Sequence, residues 1–198
     1  MNLPNKITMS RIVMAIIILV LLTIPWYQMG IEFPTILLNG NVVVNIKYII
    51  AGIIFVIAAI SDCMDGRIAR SRNLVTDFGK VMDAIADKIL VNGLLVILAY
   101  DGFISVAIPV IIITRDIIVD SCKMASGNKG KVVAASTLGK IKTVFMLIGV
   151  TLILFYNIPF EFIGINVAYI LVIIATLLSV ISGCQYYINT KDIIFDKK

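Results

Sequence analysis

The sequence contains no histidine and few charged side chains, since Asp, Glu, Lys and Arg together make up 15% of its 198 residues. Hydrophobic residues make up 60%, and the mean hydropathy is +1.04. An ordinary soluble domain carries about 25% charged residues. The composition therefore excludes a soluble domain and indicates an integral membrane protein. The length leaves room for one compact bundle, residues 1–198, without a separate soluble domain.

The few cysteines and the scattered basic residues limit the possible disulfides and partners. The three cysteines, Cys63, Cys122 and Cys184, have no paired spacing, so no disulfide framework is predicted. The 17 basic residues exceed the 12 acidic ones, but they form neither a dense run nor a patch interleaved with aromatic residues. Nucleic acid is therefore not an expected partner, whereas anionic membrane lipid and phosphate ligands are. No small-x-small cleavage site follows the first apolar run, which predicts an uncleaved first helix.

Six apolar stretches predict an all-α protein built as a bundle of six transmembrane helices. They cover residues 12–27, 48–61, 79–100, 103–122, 143–156 and 162–187, each with approximate ends. A short N-terminal segment precedes them, in which residues 8–11 begin an interfacial helix. The second stretch is too short for a hydrocarbon core of about 30 Å, so its helix must continue into the acidic residues that follow. Residues 30–47 predict an external loop and residues 123–142 a polar loop.

Six alternating spans bring the N-terminus, the acidic residues after the second stretch, the lysine-rich loop and the C-terminus to one side. All 17 basic residues except Lys47 then lie on that side or in its adjoining helix turns. The positive-inside rule makes this side cytoplasmic. The sequence thus predicts a multi-pass protein of the cell membrane, with both termini and the active site facing the cytoplasm.

Four aspartates at helical spacing, Asp62, Asp65, Asp83 and Asp87, are the feature around which the chain is organised. A rotation of about 100° per residue places the first two on one face of the second helix and the last two on one face of the third. We expect these faces to meet where the two helices form a hairpin. Two carboxylates roughly 5 Å apart repel by about 3 kcal/mol at an effective dielectric near 20. A cation is therefore expected among them.

The available ligands suggest which cation this is. With no histidine and only Cys63 nearby, zinc is poorly supported, whereas an all-oxygen site suits Mg²⁺ or Mn²⁺. Two such ions would offset four negative charges and could clamp a phosphate during displacement. Gly66 and Gly79 share the acidic faces and allow a phosphate or nucleotide to approach the backbone. For any single aspartate the alternative is a solvated helix cap. Four aspartates with two glycines on the same faces disfavour that alternative.

The motif D-x-x-D-G-x-x-A-R-x8-G-x-x-x-D-x-x-x-D is complete from Asp62 to Asp87 and resembles the signature of the CDP-alcohol phosphotransferase family. The resemblance implies a six-helix membrane enzyme, usually a homodimer, that transfers a phosphatidyl group from CDP-diacylglycerol to an alcohol and releases CMP. It implies that the four aspartates are metal ligands and that Asp87 is the general base for the acceptor hydroxyl.

The same motif implies a nucleotide site. Its residues are Asp62, Gly66, Ala69, Arg70 and Gly79. Gly66, Ala69 and Gly79 match positions where cytidine diphosphate lies against the backbone, and the planar fork of Arg70 suits contact with two phosphate oxygens. For Arg67 and Arg72, lipid-headgroup contact or a topology signal is favoured.

Two flanking stretches, P-N-x-x-T-x-x-R at residues 4–11 and G-K-x-K-T at residues 139–143, resemble the bacterial phosphatidylglycerolphosphate synthase branch of this family. They imply that the acceptor is sn-glycerol 3-phosphate. Its phosphate would be held by some of Thr8, Arg11, Arg115, Lys140 and Lys142.

Structural roles without a ligand are alternatives for these acceptor residues. Arg115 lies in an otherwise apolar helix, so it should face the cavity and either pair with Asp116 or Asp120 or bind an anion. The adjacent Asp116 is expected on another helix face. Lys140 and Lys142 at a helix N-terminus would oppose the helix dipole unless a phosphate binds there, although they could instead be a topology signal.

Two departures weaken the choice of acceptor but not the reaction class. Ala84 stands where the branch often has proline, and Asp116 where glutamate is expected. Inositol phosphate and phosphatidylglycerol are therefore kept as alternative acceptors. The alternative from another class is a divalent-cation transporter, but transporter sites usually lie near the midplane. A purely structural membrane protein has no reason to carry this acidic hairpin.

Overall fold

The computed structural model of the chain describes residues 3–38, 42–71, 76–129 and 137–194. It confirms an all-α membrane protein and adds one small β-hairpin. The helices are α1 (Leu3–Thr23), α2 (Ile46–Ser71), α3 (Asp77–Tyr100), α4 (Ala107–Asn128), α5 (Thr137–Leu154) and α6 (Val167–Ile194). Strands β1 (Thr35–Leu38) and β2 (Val42–Asn45) pair antiparallel. Short 3-10 helices cover Trp26–Met29 and Phe160–Ile163.

The main helix contacts follow the closed order α1, α3, α4, α6, α5, α2 and back to α1. Consecutive helices run in opposite directions, so the bundle has two distinct ends. At the hairpin end, which carries β1 and β2, the Tyr48 hydroxyl donates to Asp101 at 2.6 Å and the Asn45 amide donates to the Tyr156 hydroxyl at 3.0 Å. The opposite end, here called the charged end, carries the acidic motif. In this order α1 packs against both α2 and α3.

Four described segments are long and apolar enough to cross a membrane. They are Asn5–Thr23, Ile46–Met64, Thr137–Leu154 and Val167–Lys191. α3 and α4 have 24 and 22 residues, which corresponds to helices about 36 and 33 Å long. Neither is among these four segments, and each carries several charged side chains at its middle or in its half near the charged end. Some of those charges line the cleft described below.

α1 is one continuous helix from Leu3, so the described residues contain no separate interfacial segment before the first span. Its buried face repeats every three or four residues and consists of Thr8, Arg11, Ala15, Ile18 and Leu22. This spacing is that of one helix face turned towards the bundle. A charged side chain, Arg11, therefore enters the protein interior together with apolar ones.

The structure corrects two loop predictions. α2 continues through the acidic motif as expected, but α4 ends at Asn128 rather than near Cys122, and α5 begins at Thr137. α4 continues because Cys122 and Ser126 extend its buried face and can be covered by neighbouring helices. Residues 30–47, predicted as a plain loop, contain the β-hairpin because β-branched residues favour extended strands.

Candidate active site

Arg11 joins two of the four predicted metal ligands. Its guanidinium forms ion pairs with Asp62 of α2 through one terminal nitrogen and with Asp83 of α3 through the other. The second nitrogen also lies 3.4 Å from the Asp83 carbonyl oxygen, to which it donates. The predicted acidic faces therefore come together through α1, whose arginine lies between them. The expectation of a cation among these carboxylates is met by a side chain of the protein itself.

The donor set has the chemistry that a divalent ion requires. Carboxylates from two helices converge on one positive charge, and oxygen ligands suit Mg²⁺ or Mn²⁺. In the described ranges, no group of three or more His, Cys, Asp or Glu side chains is placed to hold a metal ion. The side chain of Asp65 lies outside those that the structure describes. Asp62, Asp65, Asp83 and Asp87 thus remain predicted ligands with suitable chemistry.

Asp87 lies one helical turn after Asp83 and lines a cleft of about 330 Å³ between α3, α4, α5 and α6. The same cleft is lined by Arg115, Lys140 and Lys142, three of the predicted acceptor-binding residues. Within the described residues, no hydrogen bond or ion pair engages the Asp87 carboxylate, unlike those of Asp62 and Asp83. An available carboxylate thus borders a basic cleft, which is the arrangement needed to deprotonate an alcohol beside a bound anion.

Arg115 connects α4 to α6. Its Nε donates to the Ser179 carbonyl oxygen at 3.0 Å, and one terminal nitrogen donates to the Ser182 hydroxyl at 2.8 Å. The other terminal nitrogen donates to Asp116 at 3.0 Å, so the expectation that this neighbour faces elsewhere is wrong. The long arginine side chain reaches back along the helix to it. A guanidinium has five N–H donors, and three bonds leave two donors for a ligand.

Gly183 makes room for this arginine. A Cβ atom at residue 183 would lie 2.9 Å from Arg115 Cγ and 3.1 Å from its Nε. The missing side chain at residue 183 thus lets a charged side chain of α4 pack against α6. The guanidinium is thus held by α6 in a defined position facing the cleft.

Lys142 links α5 to the same group, because its Nζ lies 3.5 Å from an Asp116 carboxylate oxygen that also accepts from Arg115. Lys140 and Lys142 lie within the first two turns of α5, since that helix begins at Thr137. Their charges oppose the helix dipole there. Arg115 and Lys142 thus share one acid. The cleft lining holds five basic and three acidic side chains, which leaves net positive charge for an anionic ligand.

Sequence reasoning missed several residues that line the cleft. They are Lys88, Lys123 and Tyr186, and Asp120 was expected only as a possible partner of Arg115. Lys88 of α3 and Asp120 of α4 form an ion pair, and the Lys123 Nζ lies 3.7 Å from Asp120. The signal that could have identified Lys123 was the helical spacing of Asp116, Asp120 and Lys123, which continues the charged face of Arg115 along α4.

The nucleotide residues are described in part. The side chains of Arg67, Ala69 and Arg70 and all of residue 72 lie outside the described part of the chain. Beside Gly79, a Cβ atom would lie 2.7 Å from Asn5 Oδ1 and 3.0 Å from Thr76 Oγ1. Because Gly79 has no side chain, Asn5 of α1 can pack against it. The Gly79 amide donates to the Thr76 hydroxyl as part of the helix cap.

Thr8 and Arg11 are not among the residues that line the α3–α6 cleft. Both lie on the buried face of α1, where Thr8 is 4% and Arg11 is 1% exposed. The structure thus brings Arg115, Lys140 and Lys142 together beside Asp87 and places Arg11 beside Asp62 and Asp83. Contact of Thr8 or Arg11 with the acceptor phosphate stays a prediction.

Comparison with known proteins places the chain in a family. The family model described as CDP-alcohol phosphatidyltransferase matches residues 1–181. The chain is 36% identical over 186 residues to the CDP-diacylglycerol–glycerol-3-phosphate 3-phosphatidyltransferase of Bacillus subtilis (strain 168), covering 94% of this chain and 93% of that protein. Identically named proteins are 32% identical in Mycoplasma genitalium, covering 75% of this chain and 63% of the relative, and 29% identical in Rickettsia bellii, covering 94% and 93%. The chain belongs to the CDP-alcohol phosphatidyltransferase family.

Proposed function

We propose that this protein transfers the phosphatidyl group of CDP-diacylglycerol to sn-glycerol 3-phosphate, giving phosphatidylglycerol phosphate and CMP for phospholipid biosynthesis. The names of its relatives support this donor and acceptor. The observation that carries the proposal is the Asp87 carboxylate, which forms no hydrogen bond or ion pair with the residues that the structure describes and lies beside Arg115, Lys140 and Lys142 in one cleft. An acid-base group beside an anion site suits an acceptor that carries both a hydroxyl and a phosphate.

The acceptor would bind with its phosphate towards the basic side chains. Arg115 has two unused donors that can bind two oxygens of a phosphate, and Lys142 adds a nearby point charge. Holding the phosphate there fixes the direction of the acceptor hydroxyl, which lowers the entropic part of the barrier. The opposite end of this small alcohol then lies towards Asp87.

In the chemical step, Asp87 accepts the proton of the acceptor hydroxyl. The hydroxyl oxygen attacks the phosphorus that bears the diacylglycerol group. The P–O bond to the cytidine phosphate breaks, and CMP leaves with the electron pair. Asp62, Asp65, Asp83 and Asp87 would hold Mg²⁺ or Mn²⁺, two ions in this proposal, and the metal would supply positive charge against the negative charge of the pyrophosphate. The family generally depends on divalent metal. Gly66, Ala69, Arg70 and Gly79 would border the nucleotide.

The membrane arrangement proposed has all six helices crossing the bilayer and the charged end in the cytoplasm. It is supported by the excess of basic residues in segments that border this end. Labelling of single-cysteine variants with a membrane-impermeant thiol reagent in oriented vesicles would test the orientation. We also propose a homodimer, in line with the family resemblance, and mass photometry of the purified protein would test it.

The reaction is tested with purified protein, Mg²⁺ or Mn²⁺ and labelled CDP-diacylglycerol, with each acceptor supplied separately. We expect CMP release and a phosphatidylglycerol phosphate product with glycerol 3-phosphate. Turnover with inositol phosphate or phosphatidylglycerol alone would overturn the acceptor assignment. Metal flux into proteoliposomes without CMP release from any acceptor would overturn the reaction and favour a transporter.

A further inference from the structure

Arg11 is the most deeply buried charged side chain among the described residues, with 1% of its surface exposed. It lies on the apolar face of α1, between α2 and α3, and each of its terminal nitrogens pairs with a carboxylate from a different helix. Removing a buried charge from its partners is expensive. Leaving these partners would therefore be costly for the guanidinium.

The two carboxylates that Arg11 engages are half-exposed, with 46% and 48% of their side chains accessible. Asp62 and Asp83 are thus neutralised from the protein side and remain open on the other side. A divalent ion that approaches these oxygens therefore meets a fixed positive charge immediately behind them. The guanidinium and the ion compete for the same lone pairs and repel each other at short range.

We propose that Arg11 is a positioning residue that holds Asp62 and Asp83 together and, through its charge, weakens their binding of divalent metal. The inference rests on the metal use in the proposed function. Its advantage to the protein is twofold: the carboxylates stay close together without a metal, and the ion is held loosely enough to depend on the substrate pyrophosphate for full coordination. Arg11 thus sets metal affinity and is not itself a metal ligand.

The test measures Mn²⁺ binding to purified protein in detergent, by the loss of the free-ion electron paramagnetic resonance signal, without substrate. We expect Arg11→Gln to bind Mn²⁺ at least about tenfold more tightly than the wild type, since one positive charge beside the site is removed. Arg11→Lys keeps the charge and should stay within about threefold of the wild type. Lys6→Gln removes an exposed charge from the same helix and should leave the affinity unchanged.

Thermal unfolding gives a second measurement. Without metal, Arg11→Gln should unfold at a lower temperature than the wild type, because Asp62 and Asp83 then repel each other. Mn²⁺ should raise its unfolding temperature by more than that of the wild type at the same concentration. If Arg11→Gln does not fold, Asp62→Asn is compared with Arg11→Gln/Asp62→Asn, and the double variant should bind Mn²⁺ more tightly.

The outcomes separate this inference from the proposed function. Equal or weaker Mn²⁺ binding by Arg11→Gln, or Arg11→Lys binding as tightly as Arg11→Gln, would overturn the inference while leaving the reaction in place. No Mn²⁺ binding by the wild type or by any variant would overturn both this inference and the metal use on which it rests.

Discussion

Replacing Gly183 with alanine should weaken binding of the acceptor phosphate without touching the cleft directly. The added Cβ would lie 2.9 Å from Arg115 Cγ, whereas carbon atoms in contact are about 3.5–4.0 Å apart. The arginine stem must therefore move by roughly 0.6–1.1 Å. Its bonds to the Ser179 carbonyl and the Ser182 hydroxyl, now 3.0 and 2.8 Å, cannot both survive such a shift.

A hydrogen bond to a charged group contributes about 1.5–3 kcal/mol, and each 1.4 kcal/mol corresponds to about a tenfold change in affinity. We therefore expect Gly183→Ala to raise KM for glycerol 3-phosphate by about 10- to 100-fold, since the displaced guanidinium no longer meets the phosphate. kcat at saturating acceptor should stay within about threefold, because Asp87 is untouched.

The assay measures initial rates against glycerol 3-phosphate at saturating CDP-diacylglycerol in mixed micelles. Gly127→Ala is the matched control, because this glycine also lies in a helix near the charged end and a Cβ there would meet nothing within 4 Å. Thermal unfolding of both variants checks that they remain folded. If Gly183→Ala shows the same KM as Gly127→Ala, the role assigned to Arg115 in binding the acceptor is refuted.

Three further predictions concern the base, the metal and the hairpin end. Asp87→Asn should reduce turnover by about 100-fold or more without lowering the unfolding temperature, and near-normal turnover would remove its role as base. Chelation with EDTA should abolish CMP release and added Mg²⁺ or Mn²⁺ restore it; activity that survives chelation would contradict metal dependence. Asn157→Ala should lower the free energy of unfolding by about 2–4 kcal/mol. The buried Asn157 side chain forms hydrogen bonds with Glu161, Ile165 and Ala168 at 2.8–3.1 Å. Its backbone also has a φ of 56°, which asparagine tolerates better than alanine. KM and kcat of Asn157→Ala should be unchanged. The control in denaturant titrations is Asn166→Ala, an exposed position, which should lower the free energy of unfolding by only about 1 kcal/mol. Equal losses of unfolding free energy in the two variants would contradict the hydrogen bonds assigned to Asn157.

Helix propensity and hydrophobic spacing were enough to predict the bundle and the continuous helix that carries Asp62. They did not predict where α4 ends, because residues 123–128 are polar in composition and continue the helix only where neighbours cover Cys122 and Ser126. The β-hairpin was missed for a related reason. Its apolar residues are compatible with a loop at a membrane surface. They become strands because four residues of β1 pair with four of β2.

Within the site, periodicity predicted which acidic residues share a helix face, and Arg115, Lys140 and Lys142 were each predicted from their own local sequence. Asp116 was expected to face away from Arg115, but the two side chains form a hydrogen bond. Spacing along a helix describes the backbone and does not account for the reach of a long arginine side chain. Lys88 was missed, since nothing in the local sequence of α3 distinguishes a lysine that faces a cleft from one that faces lipid headgroups.

The sequence by itself determined that the chain spans a membrane, that Asp62, Asp83 and Asp87 lie at helical spacing, and that their chemistry suits an oxygen-bound divalent ion. These properties depend on composition and on local geometry along one helix. Only the tertiary structure decided that α1 lies against both α2 and α3, so that Arg11 pairs with two acids more than 50 residues away. Periodicity specifies which side chains share a face, whereas packing between helices specifies what that face meets.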